Sequence, residues 1–266
     1  MVDIAKSYGS STVAKAISIL DLLGNEGRPM TAAQIAQRLD LNTSSIYRLL
    51  STLKEHGYLT QPDESAEYFL GSQVLTLAAV LLDSLDIRRI AKPFLVELTA
   101  KTGEATHLMG LDGLEGVYLE RIEGLHPVQM ISRVGSREHL HASSVGKAIL
   151  AYMPVEEVDN VIQRTGLPRF TSATITNPER LKEHLMVVRA RGYAIDNEEA
   201  EESVRCIGAP IFDHKGEVNY SISIAGPAYR VTLERIECFI PDITNAAYSI
   251  SRAVGYAPKG SNTERG

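Results

Sequence analysis

The sequence predicts an α+β protein in two unequal parts: a helical head closed by a hairpin, a helical connector, and a larger mixed domain. Three observations carry this. Apolar residues recur at helical spacing as far as Gly57. Two β-prone runs around a Pro/Asp/Ser turn follow. From Glu104 the period changes to short runs parted by Asp112-Gly113 and Glu123-Gly124, the punctuation of strands.

In the head, Val13, Ile17, Leu20 and Leu23 repeat at helical spacing with Ala16 on the same face, and Asn25 to Pro29 breaks the helix. Thr31-Ala32-Ala33-Gln34 has the form of a capping box and opens a short helix with Ile35, Ala36 and Leu39 inward. After the turn at Asp40-Leu41-Asn42, a second helix carries Ile46, Leu49, Leu50 and Leu53 as its core stripe. Gly57 ends it just past His56. The runs Tyr58–Gln61 and Ala66–Leu70 read as a hairpin around Pro62 to Ser65. Residues 72–101 look helical, with a break at Ser84-Leu85-Asp86.

In the second domain, Thr106–Gly110, Gly116–Arg121 and Val128–Arg133 read as strands, then Ser143–Met153 and Val155–Thr165 as helices. Glu179–Arg191 is helical, opened by Asn177-Pro178. Tyr193–Asp196, Cys206–Phe212 and Val218–Ala225 read as strands, and Leu233–Val254 as a closing helix with a kink expected at Pro241. The expected divisions are 1–71 for the head, 72–85 for the connector, 86–256 for the second domain and 257–266 for a disordered tail.

A short capped helix, a tight turn and a second helix with a polar outer face form a helix-turn-helix, and the hairpin makes it winged. The candidate DNA contacts are Thr31, Thr43, Ser44, Ser45, Tyr47, Arg48 and Ser51. Arg48 suits a guanine edge or a phosphate, and the hydroxyls suit phosphates or base edges. Charge bears on this in two ways. The whole chain has a net charge of −6 and a pI near 5.7, which argues against nucleic acid. Residues 28–54, however, hold Arg28, Arg38, Arg48 and Lys54 against Asp40, a net of +3. Residues 1–70 as a whole hold six basic and eight acidic side chains, so one head alone binds weakly and two heads on two half-sites are expected.

The remaining composition excludes several classes. The chain has 266 residues, 44% of them hydrophobic, enough for two packed cores. The longest apolar run, Val74–Leu82 apart from Thr76, is far short of the roughly 20 residues of a membrane span. The opening MVDIAKSYGSSTVAKA lacks the apolar core of a secretory signal, and two cysteines make no disulfide scaffold, so a reduced, cytoplasmic setting is expected. No cofactor is expected. Val145-Gly146-Lys147-Ala148 mimics the end of a phosphate loop, but Ala148 stands where a Ser or Thr would hold magnesium. His139-x-His141 lacks a third ligand for a metal. Two alternatives stay open: an enzyme using Cys206 as nucleophile with His139 or His141 as base, and a sensor acting through protein contacts rather than DNA.

The ordered fragments identify a resemblance. VAKAISIL (13–20), SSIYRLL (44–50), GYL (57–59) and YFLG (68–71) in the head, with LHASSVGKA (140–148), GYAIDNEE (192–199), VRCIGAPIFD (204–213) and SISIAGP (221–227) beyond it, resemble the IclR family of bacterial transcription regulators over about residues 10–256. The resemblance implies a GAF-like effector domain, a homodimer through heads and connectors or a homotetramer, and a double-stranded DNA operator. Members of the family repress, activate or do both, and repression is the expectation for this chain. It also implies an effector site. Ser144 and Val145 match positions whose backbone amides hold a carboxylate, Asp196, Cys206 and Ser223 match lining positions, and Met130 matches an apolar wall. Ala225 stands where the family commonly has a second serine. The effector implied is a small organic acid of a catabolic pathway, a sugar acid or an aromatic acid.

Overall fold

The computed structural model describes residues 12–62, 65–84, 86–126 and 133–257. The chain divides into two compact units, Met1–Ser84 and Leu85–Gly266. The expected tail, from Pro258 on, lies outside the described residues.

The first unit contains α1 (Thr12–Glu26), β1 (Met30–Thr31), α2 (Ala32–Leu39), α3 (Thr43–Glu55), β2 (Leu59–Thr60), β3 (Glu67–Leu70) and α4 (Ser72–Ser84). The capping box forms as the sequence predicts: Gln34 N donates to Thr31 Oγ1 at 3.3 Å, and Thr31 N donates to Gln34 Oε1 at 2.8 Å. Thr31 also lies in β1, a strand the sequence does not announce. It adds to the hairpin through Met30↔Tyr68 and Thr31↔Glu67, giving a sheet ordered β1-β3-β2. Two residues are too few to show a period of two, so only pairing reveals the strand.

The unit's core gathers Ile19, Leu23, Met30, Ile35, Ile46, Leu50, Leu59 and Tyr68. The face expected for α1 needs correction. Val13 is 68% and Ile17 52% exposed, while Ile19 is buried with Leu23. The helix is apolar nearly all round, so spacing alone does not select the buried side. Val13, Ile17 and Leu20 instead line an apolar hollow of about 340 Å³ beside Leu53 and Tyr58. Asn42 caps α3, its side chain accepting from Ser45 N at 2.9 Å. Asn42→Ala is expected to lower the stability of this unit by about 1 kcal/mol, read as a shift in its urea midpoint.

The second unit runs α5 (Asp86–Thr102), β4 (Ala105–Asp112), β5 (Glu115–Ile122), β6 (Arg137–Glu138), α6 (Ser144–Leu150), α7 (Val155–Thr165), α8 (Pro178–Arg191), β7 (Ala194–Asn197), β8 (Val204–Phe212), β9 (Val218–Pro227) and α9 (Leu233–Ala253). Its antiparallel sheet is ordered β6-β5-β4-β9-β8-β7. The strand expected at Val128–Arg133 is not placed: residues 127–132, Met130 among them, lie outside the described residues, and Arg133 is in no strand. The strand that pairs there is β6, through Gly116↔Glu138 and Val117↔Arg137. The helix expected from Ser143 to Met153 stops at Leu150, and Ser143 rather than Ser144 caps it, accepting from Gly146 N at 3.1 Å. Helix α9 continues through Pro241.

Side-chain alternation sorts the sheet into two faces. Leu108, Ile207, Ile222 and Ile224 pack with Leu95 of α5 and Ile236, Phe239 and Ile243 of α9. Met109 points the other way, toward Val145 and Ile149 of α6. On that second face Ser221 Oγ donates to Val145 O at 2.9 Å. Gly208 lets α6 lie close to the sheet, and Gly146 lets the turn at Leu140 lie close to α6. A Cβ on Gly208 would stand 2.8 Å from the Ser144 carbonyl group, and one on Gly146 would stand 2.4 Å from Leu140 Cα and O. A larger residue at Gly208 would push α6 off the sheet, and one at Gly146 would push away the turn that leads into it.

Candidate functional site

In the first unit, α3 buries Ile46, Leu49, Leu50 and Leu53. That leaves Tyr47 (55% exposed), Arg48 and Ser51 on the outer side, with Ser45 half-buried. Thr43 and Ser44 form the first turn of the helix. Thr31 lies apart from this face, and its hydroxyl is engaged in the capping box of α2. The net of +3 for residues 28–54 overstates the free charge. Glu26, just before that window, pairs with both Arg28 (3.0 Å) and Arg38 (3.1 Å). Lys54 reaches the amide oxygen of Gln61 at 3.3 Å. Arg48 is the basic side chain that α3 exposes beside Tyr47 and Ser51 on this outer side. One guanidinium on an exposed helix face, behind a capped N-terminus, can reach a groove edge or a phosphate.

In the second unit the expected residues converge. Ser144, Val145, Asp196, Cys206 and Ser223 all line one cavity of about 180 Å³, together with His107, Tyr118, Glu138, Ser143, Glu201 and Ala225. Register explains why. Asp196 lies opposite Cys206, and Cys206 opposite Ala225, in one row across β7, β8 and β9. Ser223 lies opposite Gly208 on one side and His107 on the other, in the next row. The alternation in SISIAGP sends Ser223 and Ala225 to the cavity and Ile222 and Ile224 to the core.

Asp196 is not a solvated loop residue: it is 2% exposed, and its Oδ1 accepts from Glu199 N at 2.7 Å and Ala200 N at 3.4 Å. Burial pushes its carboxyl up to about 7, against the opposing influence of Lys147 and of these amides. The loop that follows is held firmly. Glu198 and Ser203 adopt positive φ (62° and 63°). Thr171 and Thr174 hydroxyls donate to the carbonyls of Glu198 (2.6 Å) and Glu199 (2.7 Å). Arg205 ties Glu198 and Asn197 to the Ala228 and Val231 carbonyls. Such strain persists only where the surroundings fix it.

The opposite wall escaped sequence reading. His107 Nδ1 lies 3.3 Å from Ser223 Oγ, and its ring packs against Tyr118 at 5.3 Å. Burial, with Arg121 beside it, holds the imidazole neutral and its pKa down near 3. Tyr118 hydrogen-bonds Glu138, whose carboxyl burial raises to about 6. Period-two alternation around His107 is the one available signal. Nothing local marks Glu138, which reaches the site from the short strand β6.

The enzyme alternative finds no pair. Burial raises the Cys206 thiol well above its usual range, with Asp196 and Glu138 adding to the effect. His139 and His141 do not line the cavity; they pack with each other and Phe170. Among the described residues no three His, Cys, Asp or Glu side chains form a metal site, and no helix is long and apolar enough to cross a membrane.

Comparison with known proteins agrees with both halves. The IclR helix-turn-helix domain matches residues 12–63, and the family described as bacterial transcriptional regulator IclR, C-terminal, matches residues 79–252. The HTH-type transcriptional regulator XynR of Escherichia coli is 36% identical over 245 residues, 92% of this chain and 97% of its own. The crystal structure of the Thermotoga maritima IclR is 36% identical and superposes with a TM-score of 0.76 over 92% of this chain and 99% of its own. An IclR homolog from Microbacterium hydrocarbonoxydans, solved in complex with 4-hydroxybenzoate, is 26% identical with a TM-score of 0.81 over 92% of this chain and 99% of that one. These proteins are regulators rather than enzymes, and the chain belongs to the IclR family of DNA-binding bacterial transcriptional regulators.

Proposed function

We propose that this chain represses transcription at an operator bound through α3, and that a small organic acid in the cavity between α6 and β7–β9 changes its hold on that operator. The convergence of Ser144, Asp196, Cys206 and Ser223 on one cavity, in a unit distinct from the DNA-binding head, is the observation that carries the reading. A separate ligand site is what coupling between ligand and DNA requires. The 4-hydroxybenzoate complex of the Microbacterium relative supports a small-molecule effector. The head's own charge supports assembly as a homodimer or homotetramer. With Arg28 and Arg38 sharing Glu26, few phosphate contacts remain per head, and two heads on two half-sites supply the affinity one lacks.

An operator fragment selected from genomic DNA by the wild-type protein tests the DNA-binding half. Arg48→Ala is expected to weaken binding to it by about tenfold or more in a gel shift, the 1–3 kcal/mol of a lost base or phosphate contact. Wild-type affinity in that variant would reject the assignment of α3 as the reading helix. Release of the fragment by added carboxylates, absent in a Ser223→Leu variant that fills the cavity, tests the effector half.

A further inference from the structure

The charge of the cavity runs against the ligand proposed for it. Three carboxylates line it, Asp196, Glu138 and Glu201, and among the described residues no Lys or Arg does. The nearest ammonium, Lys147, is wholly buried behind the wall, and its charge is answered by Glu199. His107 is neutral. The donors left for an anion are hydroxyls and backbone amides around Ser144 and Ser223. An organic anion entering this space would stand a few ångströms from up to three like charges in a medium of low dielectric. Like charges crowded this way do not all remain ionised, and one group takes a proton.

Asp196 is placed to take it. Its Oδ1 already accepts two amides, and its Oδ2 accepts no hydrogen bond from the described residues. A proton on Oδ2 turns that oxygen into a donor for a ligand carboxylate and leaves the two amide bonds intact. The other two carboxylates are less suited. Glu138 already accepts from the Tyr118 hydroxyl, and Glu201 is exposed to water.

We propose, resting on the effector-site reading above, that the cavity binds its organic acid together with one proton drawn from solvent and held on Asp196. The groups facing Asp196 are Lys147 from α6, Glu199 and Glu201 from its own loop, Cys206 from β8, Glu138 from β6 and Tyr118 from β5. Lys147 alone among them favours the ionised form, and burial outweighs it, leaving the carboxyl near 7. Ligand carboxylates are ionised throughout the physiological range, so the proton comes to the protein. Only the protonated fraction of the protein binds, which makes apparent affinity about tenfold weaker at pH 8 than at pH 6. A regulator built this way responds more strongly to the same acid as its surroundings acidify.

The test is calorimetric titration of the full-length protein with acetate, lactate, gluconate, benzoate and 4-hydroxybenzoate, near pH 6 and pH 8, in buffers of different ionisation enthalpy. The expected result is binding of at least one acid about tenfold tighter near pH 6, with uptake of close to one proton near pH 8. Asp196→Asn, which presents an amide donor where the protonated acid would, is expected to bind that acid equally at both pH values with no proton uptake. Glu138→Gln is expected to keep the pH dependence. Equal wild-type affinity at both pH values, an Asp196→Asn variant that still takes up a proton, or loss of the dependence in Glu138→Gln would each overturn the assignment of the proton to Asp196 and leave the effector site standing. Failure of every acid to bind near pH 6 would overturn the site itself and the proposal with it. Circular dichroism of both variants confirms that they fold.

Discussion

Lys147→Met is expected to destabilise the second unit by about 3–5 kcal/mol, the cost of leaving one partner of a buried ion pair alone. Lys147 is 0% exposed. Its ammonium donates to Ile195 O at 2.7 Å and to Glu199 Oε1. Removing it leaves Glu199 buried and charged, with an Oε2 that already has no hydrogen-bond partner. The consequence reaches the ligand site. Lys147 ties α6 to β7 and the loop beyond it, two of the elements that wall the cavity, and it is the one cation that favours the ionised form of Asp196. The variant should therefore melt about 10 °C lower, at roughly 2–4 °C per kcal/mol for a unit of this size, and lose its response to ligand. Lys147→Met combined with Glu199→Leu should regain most of the lost stability, because replacing both charges by apolar groups removes the orphan. A single variant that melts like the wild type, or a double variant no better than the single, would show that the pair does not hold α6 to the loop.

That residue also marks where sequence reading stops. Lys147 enters the sequence reading only as part of a false phosphate-loop match, and lysines are almost never fully buried. Only the fold brings Glu199, fifty-two positions on, to meet it. The cavity's near wall was legible only through the family resemblance, which singles out Ser144, Val145, Asp196, Cys206 and Ser223. The fold supplies the physical reason for the strand residues, since alternation turns Ser223 and Ala225 inward and Ile222 and Ile224 to the core. The far wall was not, because Tyr118 and Glu138 reach the site only through the pairing of β4 with β5 and of β5 with β6. In the head, the capping box and the α3 stripe were legible from local chemistry. The buried side of α1 was not, because Val13, Ile17, Ile19, Leu20 and Leu23 offer more than one apolar face. The free charge of residues 28–54 is likewise not local, because Glu26 precedes that segment yet reaches two of its arginines.

Asp196→Asn is expected to gain stability relative to the wild type as pH rises, and the sign follows from linkage. The carboxyl titrates near 3.8 in the unfolded chain and near 7 in the folded one, so the folded state holds the proton more tightly. The stabilisation this gives is fully present below the unfolded value and is lost as pH rises through the folded one. Between about pH 4 and pH 8 the loss amounts to about 4 kcal/mol, at 1.36 kcal/mol for each tenfold change in proton affinity. Other groups move with pH as well. Glu138, raised to about 6, loses stability in the same direction. His107, held near 3, works the opposite way, because the unfolded chain takes up its proton as pH falls below the ordinary imidazole value of 6.5. These contributions are common to both proteins and cancel in their difference. The difference in unfolding free energy between Asp196→Asn and wild type, measured by urea denaturation at intervals from pH 4 to pH 8, should therefore grow steadily in favour of the variant. A flat difference would mean that the Asp196 carboxyl titrates alike in the folded and unfolded chains, ionised at neutral pH at no cost to the fold. A rising one would mean that the ligand-free fold keeps an ionised carboxylate at a cost. A ligand that binds only the protonated carboxyl must restore that proton, so affinity for it falls over the same range of pH in which the ligand-free wild type gives up stability.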